Sequence, residues 1–209
     1  NTFSSGTKTI RMTGLTEEMR TAMQIMTREL RRANYHDTFA ACFGDDNCIA
    51  NLGIAGVIKD ISIDGGSGGS CFWFWYDRPQ GSATAIGVNN EQVAAFRRAT
   101  TTDGVGSLEM SVNGTTAPDC SGDSANWQAI TDPEIFDITA FSVSNTGSFS
   151  STVTGAGAAL SVNRIGITMT GSLVNDPSLP AWMGGTGTPT VQLADFVRVR
   201  NDIQTTPGP

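Results

Sequence analysis

Apolar residues recur at intervals of three and four between Leu15 and Ala33, in the sequence LTEEMRTAMQIMTRELRRA. This spacing predicts an α-helix with one apolar stripe. The stripe consists of Leu15, Met19, Ala22, Met23, Met26, Leu30 and Ala33. Glutamates near the start of the segment and arginines near its end match the preference of the helix dipole. The segment from Asn1 to Gly14 is less periodic and contains two glycines, so it remains open whether it is frayed helix or disordered.

After about Gly53 the pattern changes to short, partly alternating runs separated by turn signals such as NN, DG and NG. Such runs are typical of β-strands joined by tight turns. The predicted strands are Gly56–Ile63, Ala83–Val88, Val93–Arg98, Leu108–Val112, Ile138–Val143, Ile165–Leu173 and Val191–Arg200. Because no helix-length segment separates these runs, parallel crossovers are not expected and the pairing is predicted to be antiparallel.

These patterns predict an α+β fold in which one N-terminal amphipathic helix packs on antiparallel β-sheet. A chain of 209 residues is long enough for one ordinary domain, and the sequence contains no internal repeat. We expect a single domain over residues 1–209. Its predicted parts are the end of a long helix (1–34), a disulfide-containing connection (35–53), a β-rich region (54–202) and a tail (203–209).

A run of five consecutive aromatic residues lies in the stretch CFWFWYD, from Cys71 to Asp77. Three interpretations are possible: a stacking platform for a ligand, a membrane-seeking patch, or a strand buried on both faces. Side chains alternate along a strand, so Trp73 and Trp75 would lie on one face, opposite Phe72, Phe74 and Tyr76. A contiguous exposed aromatic patch is rare on soluble monomers, and we therefore predict a core strand that is buried on both faces.

The charge balance argues against nucleic acid as a partner. The chain has 13 basic and 20 acidic residues, for a net charge of −7, and no basic cluster accompanies the aromatic run. Phosphate backbones would be repelled overall. No segment approaches the roughly 20 apolar residues that span a bilayer as a helix.

The four cysteines form no metal-binding pattern, since none belongs to a C-x-x-C motif. An even number of cysteines in a Gly-, Ser- and Thr-rich chain favours disulfides in an oxidising compartment. The spacing of Cys42 and Cys48 readily closes a small loop, which leaves Cys71 to pair with Cys120. Four free thiols in a cytosolic protein remain the alternative.

Searching for catalytic motifs gives little. The sequence contains no G-x-S-x-G, H-E-x-x-H or Walker motif, and His36 beside Asp37 has no identifiable nucleophile. The acidic turns at Asp45–Asp46, Asp60–Asp64 and Asp119–Asp123 lack the order of a calcium loop. We predict a protein that is not an enzyme and has no cofactor or metal.

Four segments in order along the chain resemble the PilW-type minor pilins. The first is Leu15–Tyr35, where a basic-ended helix runs into RRANY, with Asn34 at a position that is often Gly in that family. The others are Ser70-Cys71 with the aromatic strand ending Tyr76-Asp77, then Cys120 ahead of Trp127 and Ile130–Pro133, and finally Val197–Asp202. Together these segments span most of the chain.

The resemblance implies a pilin-like fold and a prepilin that a peptidase cleaves and that is then methylated. It also implies a hydrophobic helix that sits in the bacterial inner membrane, facing the periplasm, and later in an extracellular pilus at the cell surface. That hydrophobic segment is absent from this sequence. The expected explanation is that residues 1–33 are the surviving end of a longer helix.

The resemblance further implies a structural role without catalysis. Such a minor pilin would prime assembly of a type IV pilus and sit at or near its tip. Its implied partners are other minor pilins, the major pilin and a tip adhesin. A GspJ-like minor pseudopilin of a type II secretion system is the alternative within the same group of proteins.

Two surfaces are candidate contact sites. The polar face of the helix offers separated opposite charges for contacts between subunits: Glu17, Glu18, Arg20, Arg28 and Arg31. A second hypothesis, a ligand-binding or adhesive tip module, would use loops such as the one that contains Leu179, Trp182 and Met183.

Overall fold

The computed structural model of the chain describes residues 2–33, 61–64, 69–77, 91–114, 116–121, 126–152, 159–174, 189–199 and 203–205. These residues form one α-helix, α1 (Thr2–Leu30), and eleven β-strands. The strands are β1 (Ser62–Asp64), β2 (Cys71–Asp77), β3 (Glu91–Thr100), β4 (Gly106–Gly114), β5 (Gln128–Ala129), β6 (Phe136–Ser144), β7 (Phe149–Thr152), β8 (Ala159–Val162), β9 (Arg164–Leu173), β10 (Thr190–Arg198) and β11 (Ile203–Thr205).

The helix begins at Thr2 and includes the weakly periodic segment that the sequence left open. Hydroxyl side chains are accommodated because they bond back to carbonyl groups one turn earlier. Thr13 Oγ1 donates to the Thr9 carbonyl at 3.0 Å, and Thr16 Oγ1 donates to the Met12 carbonyl at 2.9 Å. Every residue of the predicted apolar stripe is buried, from Leu15 to Ala33. The amphipathic helix is therefore confirmed.

The first sheet has five antiparallel strands in the order β1-β2-β3-β4-β5. Phe72 on β2 lies directly opposite Phe96 on β3, and their ring centroids are 5.3 Å apart. Both rings are fully buried and belong to the same core as the helix stripe. A bulge between Val93 and Ala95 interrupts the pairing of β3 with β4.

The aromatic run forms β2, but its two faces differ. Phe72, Phe74 and Tyr76 are buried in the core, whereas Trp73 and Trp75 on the other face are only half-buried. The prediction of a core strand is therefore confirmed for the phenylalanine face. The prediction of burial on both faces is confirmed only in part: the opposite face of the sheet buries Cys71, Val93 and Ala95, whereas Trp73 and Trp75 keep some exposure.

The second sheet has three antiparallel strands in the order β10-β9-β6. Along β9, Ile165, Ile167 and Met169 are buried, while Thr168 and Thr170 lie on the opposite face and are half-buried. This alternation separates an apolar inner face from an outer face rich in hydroxyl groups. The strand predicted at Ile165–Leu173 is confirmed as β9.

A third sheet has the order β11-β8-β7. One of its two edge strands is β11 (Ile203–Thr205), which pairs antiparallel with residues 159–161 of β8. The prediction that residues 203–209 form a tail is therefore wrong for 203–205. The strands β5, β7, β8 and β11 are short or polar, and the sequence pattern predicted none of them.

The helix packs across the first two sheets. Gly171 on β9 allows the close approach, because a Cβ atom there would lie 2.9 Å from Met19 Sδ and 3.2 Å from Leu15 Cδ1. The other end of the helix reaches the first sheet, where the Arg32 guanidinium lies 4.8 Å above the Tyr76 ring. One N-terminal helix on antiparallel sheets makes the fold class α+β, as predicted.

The first and second sheets are also joined directly. Val143 on β6 donates its backbone N–H to the Gly69 carbonyl at 3.1 Å, just before β2 begins. The Gly106 N–H donates to the Asp137 side chain at 2.8 Å. A Cβ at Gly106 would lie 2.2 Å from the Ile138 carbonyl oxygen, so this position requires glycine. The first residue of β4 is therefore held against β6.

The remaining strand predictions lie partly or wholly outside the described residues. Residues 56–60 of the predicted strand Gly56–Ile63 lie outside, and so does all of the predicted strand Ala83–Val88. The connection at residues 35–53 is outside as well, so its predicted disulfide stays a prediction.

Candidate interaction surface

Among the side chains of α1 that the structure describes, Ile10 is the one large apolar residue that is exposed, at 74%, and it lies on the side of the helix that faces away from the sheets. Among the described side chains of α1, none before Leu15 is fully buried. At 1.5 Å per residue the 29-residue helix is about 44 Å long. Its N-terminal part therefore presents surface that the sheets do not cover.

Glu17 and Arg28 continue this exposed line toward the C-terminal end, because residues spaced by seven and eleven positions return to nearly the same side of a helix. Glu17 pairs with Arg20 at 3.4 Å, and both side chains are more than half exposed. Arg31 is also exposed. Four of the five predicted contact residues thus lie on open helix surface: Glu17, Arg20, Arg28 and Arg31.

Glu18 differs from these four. It is half-buried, and its carboxylate accepts a hydrogen bond from the backbone N–H of Asp132. Burial raises the pKa of Glu18, the bond from Asp132 N–H lowers it, and the Asp132 carboxylate raises it again; the net direction is upward. Unlike the other four residues, Glu18 therefore contacts its own domain, and its part in contacts between subunits stays a prediction.

The partner of Glu18 belongs to a tight turn that follows β5. The Asp132 side chain accepts the Glu134 N–H at 3.0 Å, and its carbonyl accepts the Phe136 N–H at 3.0 Å. The buried Thr131 hydroxyl accepts the Leu108 N–H at 2.9 Å. This turn therefore connects β4, β6 and the helix, which gives a physical role to the Ile130–Pro133 segment.

The C-terminal end of α1 is fixed by a second set of charges. Glu29 is only 9% exposed at its side chain, and it pairs with Arg32 at 2.9 Å and Arg28 at 3.2 Å. Because Arg32 also covers the Tyr76 ring, the charged network links the helix end to β2. Arg28 consequently has one contact within its own helix and a head group that remains 72% exposed.

The outer face of the first sheet holds a buried arginine that no sequence motif marks. Arg97 lies opposite Cys71 in the register and donates to Glu109 Oε2 at 2.8 Å and to the Cys120 carbonyl at 3.1 Å. Its guanidinium is 4.4 Å above the Trp127 ring. The only available signal was the direct opposition of Arg97 and Glu109 on neighbouring strands, which cannot be seen before the register is known.

A disulfide ties the same region together. Cys71 and Cys120 are bonded, with Cα atoms 6.0 Å apart, and this is one of the two pairs that the sequence predicts. The second predicted pair, Cys42 with Cys48, lies outside the described residues. So does the candidate contact loop with Leu179, Trp182 and Met183.

No chemical centre emerges from the described part of the chain. It contains no group of three or more His, Cys, Asp or Glu side chains that could hold a metal ion. Asp119 in one acidic turn instead accepts the N–H and hydroxyl of Ser121, at 2.9 and 2.8 Å. None of the helix residues that are described is part of a segment both long and apolar enough to cross a membrane.

Comparisons with known proteins give a family match and a similar solved structure. A family model described as "Prepilin peptidase-dependent protein B" matches residues 8–184. Among solved structures, a type IV-like pilin from Thermus thermophilus is similar at 12% sequence identity and a TM-score of 0.45, over 90% of this chain and 97% of that chain. No curated protein sequence matches the chain. The family match covers well over half of the chain, including most of α1 and the strands up to β9.

Proposed function

The chain belongs to the prepilin peptidase-dependent protein B family, and we propose that it is a minor pilin, a non-catalytic structural subunit of a bacterial type IV pilus. In this role it helps to prime pilus assembly and sits at or near the tip with other minor pilins. Its proposed contacts are those minor pilins, the major pilin and a tip adhesin. Before assembly it resides at the inner membrane, facing the periplasm.

One observation carries this proposal: α1 is longer than its own domain requires. The buried stripe begins at Leu15, whereas the helix begins at Thr2 and exposes Ile10. A helix that served only to complete this fold would need no ordered apolar residue on its outer side. In a pilus, this uncovered length of helix would pack against the helices of neighbouring subunits.

The charges on the same side support a role in choosing partners. The exposed Glu17–Arg20 pair contributes only about 0–1 kcal/mol to the stability of an isolated domain. Complementary charges between proteins act chiefly on specificity and on the rate of association. We therefore assign Glu17, Arg20, Arg28 and Arg31 to contacts between subunits and Glu18 to the fold.

The proposal is tested by deleting the gene and restoring it in full length. We expect the deletion to reduce the number of pili on the cell surface and the recovery of the other minor pilins as a complex. Restoration should reverse both effects. Normal piliation and an intact complex in the deletion strain would overturn the proposal.

The deletion strain also distinguishes a minor pilin from the alternative, a minor pseudopilin of a type II secretion system. A GspJ-like pseudopilin would be required for export by a type II secretion system. Loss of secreted exoproteins with normal piliation would assign the chain to that system. The adhesive-module hypothesis depends on Leu179, Trp182 and Met183 and stays a prediction.

A further inference from the structure

The strand β10 forms one edge of the second sheet, and the direction of its backbone groups can be assigned from two hydrogen bonds. Val199, just beyond β10, donates its N–H to the directly opposed Asn163 at 3.0 Å. The Phe196 N–H instead donates to the side chain of Asp195 at 2.7 Å. Directly opposed residues of an antiparallel pair alternate between bonded and non-bonded positions. The odd-numbered residues of β10 therefore bond to β9, and the even-numbered ones point to the free edge.

This edge is long and regular. All nine residues of β10 pair with β9 without a register shift, whereas β3–β4 and β6–β9 each contain an irregularity. Natural edge strands are commonly protected by lysine, proline, a bulge or short length. The sequence TVQLADFVR contains no lysine or proline. In the described part of the chain no strand pairs with this side of β10, and the Phe196 N–H is capped by the Asp195 side chain.

The side chains beside the free edge of β10 determine which kind of partner segment could bind there. On the outer face Phe196 is 59% exposed, and the Arg164 guanidinium lies 4.5 Å above its ring. Arg164 forms no ion pair with a carboxylate in the residues that the structure describes. On the helix side Val191 and Leu193 are partly buried against the core, and Asp195 in the same row is exposed. The edge therefore combines a basic, aromatic outer side with an inner side that is apolar at Val191 and Leu193 and acidic at Asp195.

We propose that β10 accepts an extended segment of another protein as an added strand. The segment would place apolar side chains beside Val191 and Leu193 and an acidic side chain near Arg164. Backbone bonds to the even-numbered residues would supply affinity, and the alternating side chains would supply specificity. The site is independent of the role assigned to α1.

A second copy of this chain fits the site less well than a different protein. In an antiparallel pair of two β10 strands, the outer row would again contain Thr190, Gln192, Ala194, Phe196 and Arg198. None of these is acidic, so the copy would bring no β10 carboxylate to Arg164. Asp195 would be placed on the apolar side instead, next to residues such as Leu193.

The probe for this site is a capped synthetic peptide as long as β10 that alternates valine with threonine and carries one glutamate in the threonine row. Binding to the purified 209-residue chain is followed by amide hydrogen exchange at Gln192 and Ala194. We expect saturating peptide to slow exchange at both amides at least about tenfold, since added ladder bonds protect them. A peptide with lysine in place of glutamate should bind up to about fivefold more weakly.

Two variants make the result specific. Ala194→Pro removes an outward N–H that β9 does not use, so the sheet should persist while peptide binding is lost; Ala194→Thr is the matched control and should bind normally. Arg164→Glu should reverse the preference and favour the lysine peptide. Unchanged exchange at Gln192 and Ala194 at saturation, or equal binding by Ala194→Pro, would overturn the proposal. Concentration-dependent dimers that protect these amides without peptide would also overturn it, because a second copy would then occupy the edge.

Discussion

The carboxylate of Glu18 in the helix accepts a hydrogen bond from the backbone N–H of Asp132, although the two residues are 114 positions apart in the sequence. The same turn supplies the Thr131 hydroxyl that accepts the Leu108 N–H. Helix, first sheet and second sheet therefore meet at one short segment. Glu18, which the sequence places among the solvated charges of the helix, therefore takes part in the tertiary structure.

Replacing Glu18 with alanine should therefore destabilise the isolated domain. At pH below about 4.5, where the carboxyl is protonated, the loss of its hydrogen bond from the Asp132 N–H at a half-buried site should lower the free energy of unfolding by about 1–2 kcal/mol. Glu17→Ala is the matched control on the same turn of the helix and should change it by less than about 1 kcal/mol. Urea denaturation of both variants measures the difference. Equal effects for Glu17 and Glu18 would contradict the assignment of separate roles.

The raised pKa of Glu18 predicts a pH dependence of stability. The causes are burial, partly offset by the bond from Asp132 N–H, together with the nearby Asp132 carboxylate. An acid with a raised pKa binds more protons in the folded state than in the unfolded state, so its contribution to stability falls as pH rises through the interval above its ordinary value of 4.5. Below that value the contribution is fully present.

The comparison with Glu18→Gln isolates this effect, because glutamine can still accept the Asp132 N–H but does not titrate. The wild type should be more stable relative to Glu18→Gln at acidic pH than at neutral pH, as measured by the free energy of unfolding. Denaturation of both proteins across the acidic range gives this difference. A difference that stays constant, or that grows in favour of the wild type toward neutral pH, would refute the prediction.

The two faces of β2 should respond differently to truncation. Phe74→Ala removes a fully buried ring and should cost about 3–5 kcal/mol of stability. Trp75→Ala removes a half-buried ring and should cost clearly less, because part of that side chain already contacts solvent. Thermal or urea unfolding of both variants tests this order. A loss at Trp75 as large as that at Phe74 would restore the interpretation of a strand buried on both faces.

The two faces of β2 also show which features of the fold the sequence can predict. Periodicity identified the helix stripe and the strand Ile165–Leu173, because these patterns depend only on local geometry. The alternation of side chains along a strand assigned Trp73 and Trp75 to one face of β2 correctly. It could not decide whether that face is covered, since coverage depends on which elements pack there.

The site was less accessible to sequence reasoning than the fold. The polar side of α1 was identified correctly, but Glu18 could not be separated from Glu17 without knowing where the turn at Asp132 lies. The Arg97–Glu109 pair depends on strand register, which no local pattern specifies. Strand β11 was missed because three residues carry too little periodicity to predict an element.

Packing between the helix and β9 depends on Gly171. Gly171→Val should destabilise the protein by about 1–3 kcal/mol, because its side chain would collide with Met19 and Leu15 and force the helix away. Gly6→Ala provides a matched control within the helix, where a Cβ meets nothing within 4 Å. It should leave stability unchanged or raise it by up to about 1 kcal/mol. Urea midpoints that fall equally in both variants would contradict this packing role.

The most direct test of the assembly role is the number of pili per cell when the full-length gene carries Ile10→Gln. Phe149→Gln is the matched control, since Phe149 is a comparably exposed apolar residue on β7 at 60% exposure. Both purified domains should unfold as the wild type does. We predict that Ile10→Gln reduces piliation and co-purification of the other minor pilins, whereas Phe149→Gln leaves both unchanged. Wild-type piliation by Ile10→Gln cells would contradict the claim that the exposed side of α1 joins this subunit to its neighbours.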